Sequence, residues 1–420
     1  MAALAACTVL AASSGVRAWE HAPPPAQDPS APLALKRAEV LRLGAERGPQ
    51  VIEALAMRPA AAGIRESANA ALSYAPRAQM IAGRRSGDFG AGPEVSATLV
   101  QELSLRGLGS ARTDVGASVD RVVRSEIEHA RLESAGAAVL AWLDLLEAQE
   151  MLRLRALARA SAEGISRVAH ARVARGVGLP LESSLAESEV GASELAGRYA
   201  EGQVFEAAAR LRYAMGMPPA RPVTADGDLY ATDELRTREP SPVREHPATL
   251  VARDRVGLTR AEVDLAHAYG APTIGLGIGY TREGTGQQIV TGSISVPIPL
   301  LDPTRFDTAR QQANVAAAQA SERRVRAEIA RDLELAEHEC FHTREVRDAL
   351  QTKVVTALRE GVRVTRANYE AGIADVTSLL IVRQRLVAAE EQLGHASADV
   401  QRADVRLALA RGTLLDEISR

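Results

Sequence analysis

The chain repeats itself. Arg175-Gly176-Val177-Gly178-Leu179-Pro180 in the first half is answered by Ala371-Gly372-Ile373-Ala374-Asp375 in the second. Nearly the same spacing separates Arg47-Gly48-Pro49 from Glu245-His246-Pro247. Between these landmarks each half holds two short alternating segments and then a long Ala-rich run. A tandem copy of a mixed strand-and-helix unit constrains the fold strongly, because a unit that cannot close its own core must close against its twin or against other chains.

The long runs are the plainest reading. From Ala111 to Arg175 there is no Pro and little Gly, so the pattern predicts one helix of about 98 Å at 1.5 Å per residue. A partner helix returns over 181–214. In the second half the equivalent pair covers 303–370 and 375–411. Residues 33–70 carry helical periodicity broken at Gly48-Pro49. Aromatics make up only 3% of the chain, so bulky cores are not expected, whereas Ala favours helix and close helix approach.

The alternating segments are 72–84 with 94–105, and 272–283 with 287–299. In the last pair Ile274, Leu276, Ile278 and Tyr280 alternate with Thr273, Gly275, Gly277 and Gly279. One face is apolar and the other small or polar, as in a strand with lipid outside and water inside. A soluble sheet over a core gives the same alternation. Four strands cannot close a barrel, for which about eight is the practical minimum, and open edges cannot sit in lipid. Strands in a membrane would therefore require several chains to share one barrel. No window reaches the roughly 20 apolar residues of a transmembrane helix.

The boundaries expected are a leader and Pro-rich tether over 1–32, a first repeat over 33–217, a connector over 218–243, a second repeat over 244–412 and a tail over 413–420. Leu4-Ala5-Ala6-Cys7 matches a lipoprotein processing box, which makes Cys7 the candidate lipidation site; the run ahead of it is too short for an export signal, so the start is expected upstream of Met1. The net charge of −3, from 50 basic and 53 acidic residues, points to no nucleic acid. No phosphate loop, zinc signature or nucleophile elbow occurs, so neither an enzyme nor a cofactor is expected. Gly275-Leu276-Gly277-Ile278-Gly279 lacks the dinucleotide spacing and is not followed by a helix. His338 and His342, four apart on one helix face, are weak metal candidates, with Cys340 pointing elsewhere.

Several motifs carry a family resemblance. Leu41…Glu46-Arg47-Gly48-Pro49 and Glu245-His246-Pro247 stand as paired openings, and Tyr74-Ala75-Pro76 and Ala271-Pro272 end the first helices. Gln101…Gly107-Leu108-Gly109-Ser110-Ala111-Arg112 and Ser295-Val296-Pro297-Ile298-Pro299-Leu300-Leu301-Asp302 stand as strand exits, with Glu102 where the family has Pro. With the hairpin tips, these make 33–412 resemble the TolC-like outer-membrane efflux proteins. The resemblance implies a mainly α fold with a membrane β-barrel contribution: a homotrimer with a twelve-stranded barrel in the outer membrane, among its lipid, continued by a periplasmic α-barrel. It implies a passive exit duct of a tripartite efflux pump for small molecules or metal ions, docked to a periplasmic adaptor and an inner-membrane pump, most readily of the RND type, in a Gram-negative bacterium.

The same resemblance assigns adaptor docking to Gly176, Val177, Gly178, Leu179, Gly372, Ile373 and Ala374. It assigns the periplasmic gate to Glu182, with Asp375 and Ser378 in the second copy, where Ser378 and Ile381 replace the family's two Asp residues. Three Glu182 side chains in a ring would favour cations. Two alternatives stand beside this reading. One is the outer component of a type I protein-secretion system, which uses the same duct. The other is a soluble periplasmic coiled-coil adaptor or rod.

Overall fold

The computed structural model describes residues 32–70, 72, 74–87, 91–105, 107–231, 245–297 and 304–418. Cys7 and nearly all of the leader lie outside them, as do most of the second strand exit and residues 232–244, which end the connector and open the second repeat.

The helical stretch expected over 33–70, with its break at Gly48-Pro49, is in fact four elements. β1 (Leu33–Leu35) comes first, followed by α1 (Arg37–Arg47), α2 (Pro49–Ala56) and α3 (Arg58–Ala68). Proline makes the breaks: Pro49 and Pro59 sit in the first turns of α2 and α3, where no backbone N–H is needed. β1 pairs in parallel with β4 (Val223–Ala225), so the connector is no loose link at this point but is bound to the segment that opens the first repeat.

The membrane-type hairpins are β2 (Arg77–Arg85) with β3 (Gly92–Ser104), and β5 (Thr273–Arg282) with β6 (Gln288–Ser295). They form one antiparallel sheet in the order β2-β3-β5-β6. β2 begins at Arg77 rather than 72, after Pro76, and β6 ends at Ser295, just before Val296-Pro297, because proline cannot donate to a ladder. Register places Met80 opposite Ala97, Ala97 opposite Tyr280, Leu99 opposite Ile278, Gln101 opposite Leu276, and Leu276 opposite Ile294. One face is thus apolar across the middle of all four strands apart from Gln101, with Arg84, Arg282 and Gln288 only at the hairpin ends, and it is exposed: Met80 at 77%, Ile278 at 60% and Ile294 at 76%. On the other face a Cβ at Gly275, Gly277 or Gly279 would run into the hydroxyl of Ser295, Ser293 or Thr291. Glycine there lets neighbouring strands curl toward each other on the polar side. Among the described residues β2 and β6 each keep one edge unpaired.

α4 (Leu108–Ala174) is a 67-residue helix, about 100 Å long, and α5 (Pro180–Ala214) returns along it. In the second repeat α6 (Pro247–Tyr269) precedes the sheet. The helix expected over 303–370 is described from Arg305 and is interrupted: α7 (Arg305–Ala349) passes through a π-helical turn at Leu350–Val355 into α8 (Thr356–Glu370). α4 has no such turn, so the repeats are not equivalent. α9 (Val376–Ala410) returns, and a 3-10 turn (Leu414–Glu417) follows in what was expected to be a tail; its Leu414 is fully buried.

The main core sits midway along the rod. There Leu35, Leu41, Trp142, Leu145, Leu211, Val223, Val405 and Leu414 pack together, and the Trp142 indole N–H donates to the Leu35 carbonyl at 2.8 Å. Both repeats contribute, so the body is closed only by its twin halves. No helix among the described residues is long and apolar enough to cross a membrane.

Candidate functional site

The two hairpin tips are built alike. Each helix ends in a Schellman motif. At the first, Gly176 adopts φ +74°, the Val177 N–H donates to the Arg172 carbonyl at 3.0 Å and Gly176 N–H to Val173 at 2.9 Å. At the second, Gly372 adopts φ +77°, Ile373 N–H donates to Asn368 at 2.8 Å and Gly372 N–H to Tyr369 at 3.0 Å. The residue after the glycine in such a motif commonly packs back on its own helix. Here it does not: Val177 is 64% and Ile373 78% exposed, with Leu179 at 66% beside them. Gly178 is held by close approach, since a Cβ there would meet Arg172 Cβ at 3.0 Å.

Below the tips the hairpins are tied together. Tyr369 of α8 is 1% exposed and lies with Ile165, Ala169, Ala186, Val376 and Leu379 in a small core. The Arg172 guanidinium sits 5.0 Å over its ring, donates to its carbonyl at 3.2 Å, and pairs with Glu182 at 3.5 Å. The Tyr369 hydroxyl donates to the same Glu182 carboxylate at 3.4 Å; burial, and then the Glu182 charge, push that hydroxyl up from its ordinary pKa. Glu182 is therefore not a bare carboxylate, because Arg172 of its own chain matches the charge.

Asp375 and Ser378 are joined differently: Asp375 caps α9, accepting from the Ser378 N–H at 2.7 Å, which holds its carboxyl below the usual range. Higher up, Arg383 of α9 is buried between α4 and α5, donating to Ser161 at 3.0 Å, to Glu189 at 3.1 Å and to the Ala158 carbonyl. Tyr369 stands three residues ahead of Gly372, so its place beside the tip can be read from the sequence. Arg172 and Arg383 carry no sequence signal, since nothing marks which of many arginines turns inward.

The weak metal candidates lie apart from the tips. The His338 and His342 rings are parallel with centroids 6.1 Å apart, and among the described residues no group of three His, Cys, Asp or Glu could hold a metal. Cys340 faces the other way, buried, with its thiol 3.6 Å from Asp404 and pushed up to about 12 by burial.

A greasy, open-edged sheet is here continued by a rod of paired helices. The comparisons with known proteins agree. Residues 244–413 match the family model described as outer membrane efflux protein. The fold matches a membrane protein from Pseudomonas aeruginosa (TM-score 0.77, 18% identity, 92% of each chain). It also matches the CmeC outer membrane channel of Campylobacter jejuni (0.73, 15%, 90% of this chain and 85% of that one). The open-state MtrE channel of Neisseria gonorrhoeae gives 0.71 at 16% identity, over 91% and 90%. Protein CyaE of Bordetella pertussis is 28% identical over 130 residues, a stretch spanning 28% of this chain and only 27% of that protein. The second repeat thus matches the outer membrane efflux protein family, and the chain as a whole has the fold of solved outer-membrane channels. That family is one of channels rather than enzymes.

Proposed function

We propose that the chain is one third of a passive exit duct for a tripartite efflux pump, carrying small molecules or metal ions. One observation carries this reading: a four-stranded sheet with an exposed apolar face and an unpaired strand at each edge. Such a sheet is stable in lipid only when closed, and three copies give twelve strands, enough for a barrel. The tips Gly176 to Leu179 and Gly372 to Ala374, with Val177, Leu179 and Ile373 turned outward, are the surface offered to a periplasmic adaptor. The resemblance to the TolC-like family supports an RND-type inner-membrane pump as the source of energy.

The gate is the tie between the hairpins. Arg172, Glu182 and Tyr369 hold the tips of one chain together, and widening the mouth must break or carry this cluster. Purified protein in planar bilayers tests the whole reading. Discrete conductance from a cross-linkable trimer is expected, and a detergent-free soluble monomer would overturn it.

A further inference from the structure

A groove of about 920 Å³ lies where α4, α6 and α7 meet, well away from the tips. Ala248 and Glu262 both line it and stand fourteen positions apart on α6, so it extends for about 21 Å. Its walls are apolar through Val122, Val251, Leu258 and Val325. Its charges do not balance. Arg255 is spent on Glu126 at 2.7 Å and Arg324 on Glu328 at 2.6 Å. Glu133 and Glu262, which also line the groove, have no ion-pair partner among the described residues. Burial pushes the Glu262 carboxyl above its ordinary pKa, as it does when no cation answers it. Another polar group in the lining is His129, whose Nδ1 is buried without a hydrogen bond.

We infer that this groove binds a lipophilic organic cation, its apolar body on the valine and leucine walls and its charge against Glu262 or Glu133. A small metal ion does not fit: no three ligating groups among the described residues converge on one point. A diffuse cation suits separated carboxylates, because it needs no inner-shell coordination and loses little hydration on entering. Naming such a cation as cargo rests on the duct reading above; the binding site itself does not.

The probe is tetraphenylphosphonium, titrated by calorimetry into the full-length detergent-solubilised protein, with tetraphenylborate as an anion of the same shape. Tetraphenylphosphonium is expected to bind once per chain, and Glu262→Gln and Glu133→Gln to weaken it, the stronger by about tenfold, while trimer size and melting temperature stay unchanged. Tetraphenylborate is expected not to bind there. Equal binding of both ions, no binding to the native protein, or unaltered affinity in both variants would overturn the inference. Conductance measured on the same samples separates the two ideas. Normal conductance without cation binding removes only the groove; absent conductance removes the duct and leaves the binding result standing.

Discussion

The hydroxyl of Tyr369, one turn before the second hairpin tip, donates to the carboxylate of Glu182, one turn after the first, at 3.4 Å. With Arg172 it closes a triangle between the two repeats of one chain.

Breaking that triangle should loosen the mouth without unfolding the rod. Tyr369→Phe removes one hydrogen bond to a carboxylate, about 1–2 kcal/mol. Arg172→Ala removes the ion pair and the ring contact together and leaves Glu182 facing a tyrosine. Single-channel recordings should show longer open times for both, with Arg172→Ala the more severe. Unchanged gating in Arg172→Ala would remove the cluster from the gate.

The exposed tip residues should separate docking from folding. Val177→Asp with Leu179→Asp places charge where apolar side chains stand free, so the trimer should form and insert normally while drug or metal efflux from cells is lost. Gly372→Pro cannot adopt φ +77° and should also abolish efflux. Loss of the trimer in the Asp variant would mark the tips as structural.

Arg383 is a strut between α9 and both helices of the first hairpin, and it is nearly fully buried with Glu189 beside it. Arg383→Met should cost about 3 kcal/mol, because Glu189 loses its partner in a partly buried place. Thermal unfolding of the detergent-solubilised trimer measures this. Arg383→Lys should recover only part, since a lysine cannot serve Ser161, Glu189 and the Ala158 carbonyl together.

Two histidines should pull stability in opposite directions with pH. His395 pairs with Glu147, which raises the imidazole pKa despite partial burial. A raised folded pKa gives stability that is complete below the unfolded value near 6.5 and fades as pH rises through the folded one. His246 is the reverse. Burial holds its pKa down, and as a neutral ring it accepts from the Ala248 N–H at 3.2 Å and donates to the Leu409 carbonyl at 3.1 Å. Its contribution is lost as pH falls through about 6.5 and below. Melting curves from pH 5 to 8 should therefore tilt toward alkaline stability in His395→Gln and toward acid stability in His246→Asn. The same tilt in both would contradict these assignments.

The apolar sheet face should resist charge. Ile278→Arg puts a cation on the exposed face of β5, at a cost of about 2–4 kcal/mol if it meets the middle of a bilayer. Membrane fractions should lose the trimer. A variant that inserts normally would show that this face does not meet lipid.

The sequence by itself determined the repeat, the lengths of the rods, the sites of the tips and the two faces of the strands. Each follows from local chemistry: glycine where φ must be positive, proline where a ladder or helix must stop, and apolar residues at period two or along a helix. It did not determine that Leu33–Leu35 leaves the helical pattern to pair with Val223–Ala225, because that pairing joins segments far apart in the chain. Nor could it show that Glu182 is answered by Arg172 and Tyr369, or that Leu350–Val355 slips into a π turn. Charge partners and packing register depend on which helix faces lie together, and only the folded chain decides that.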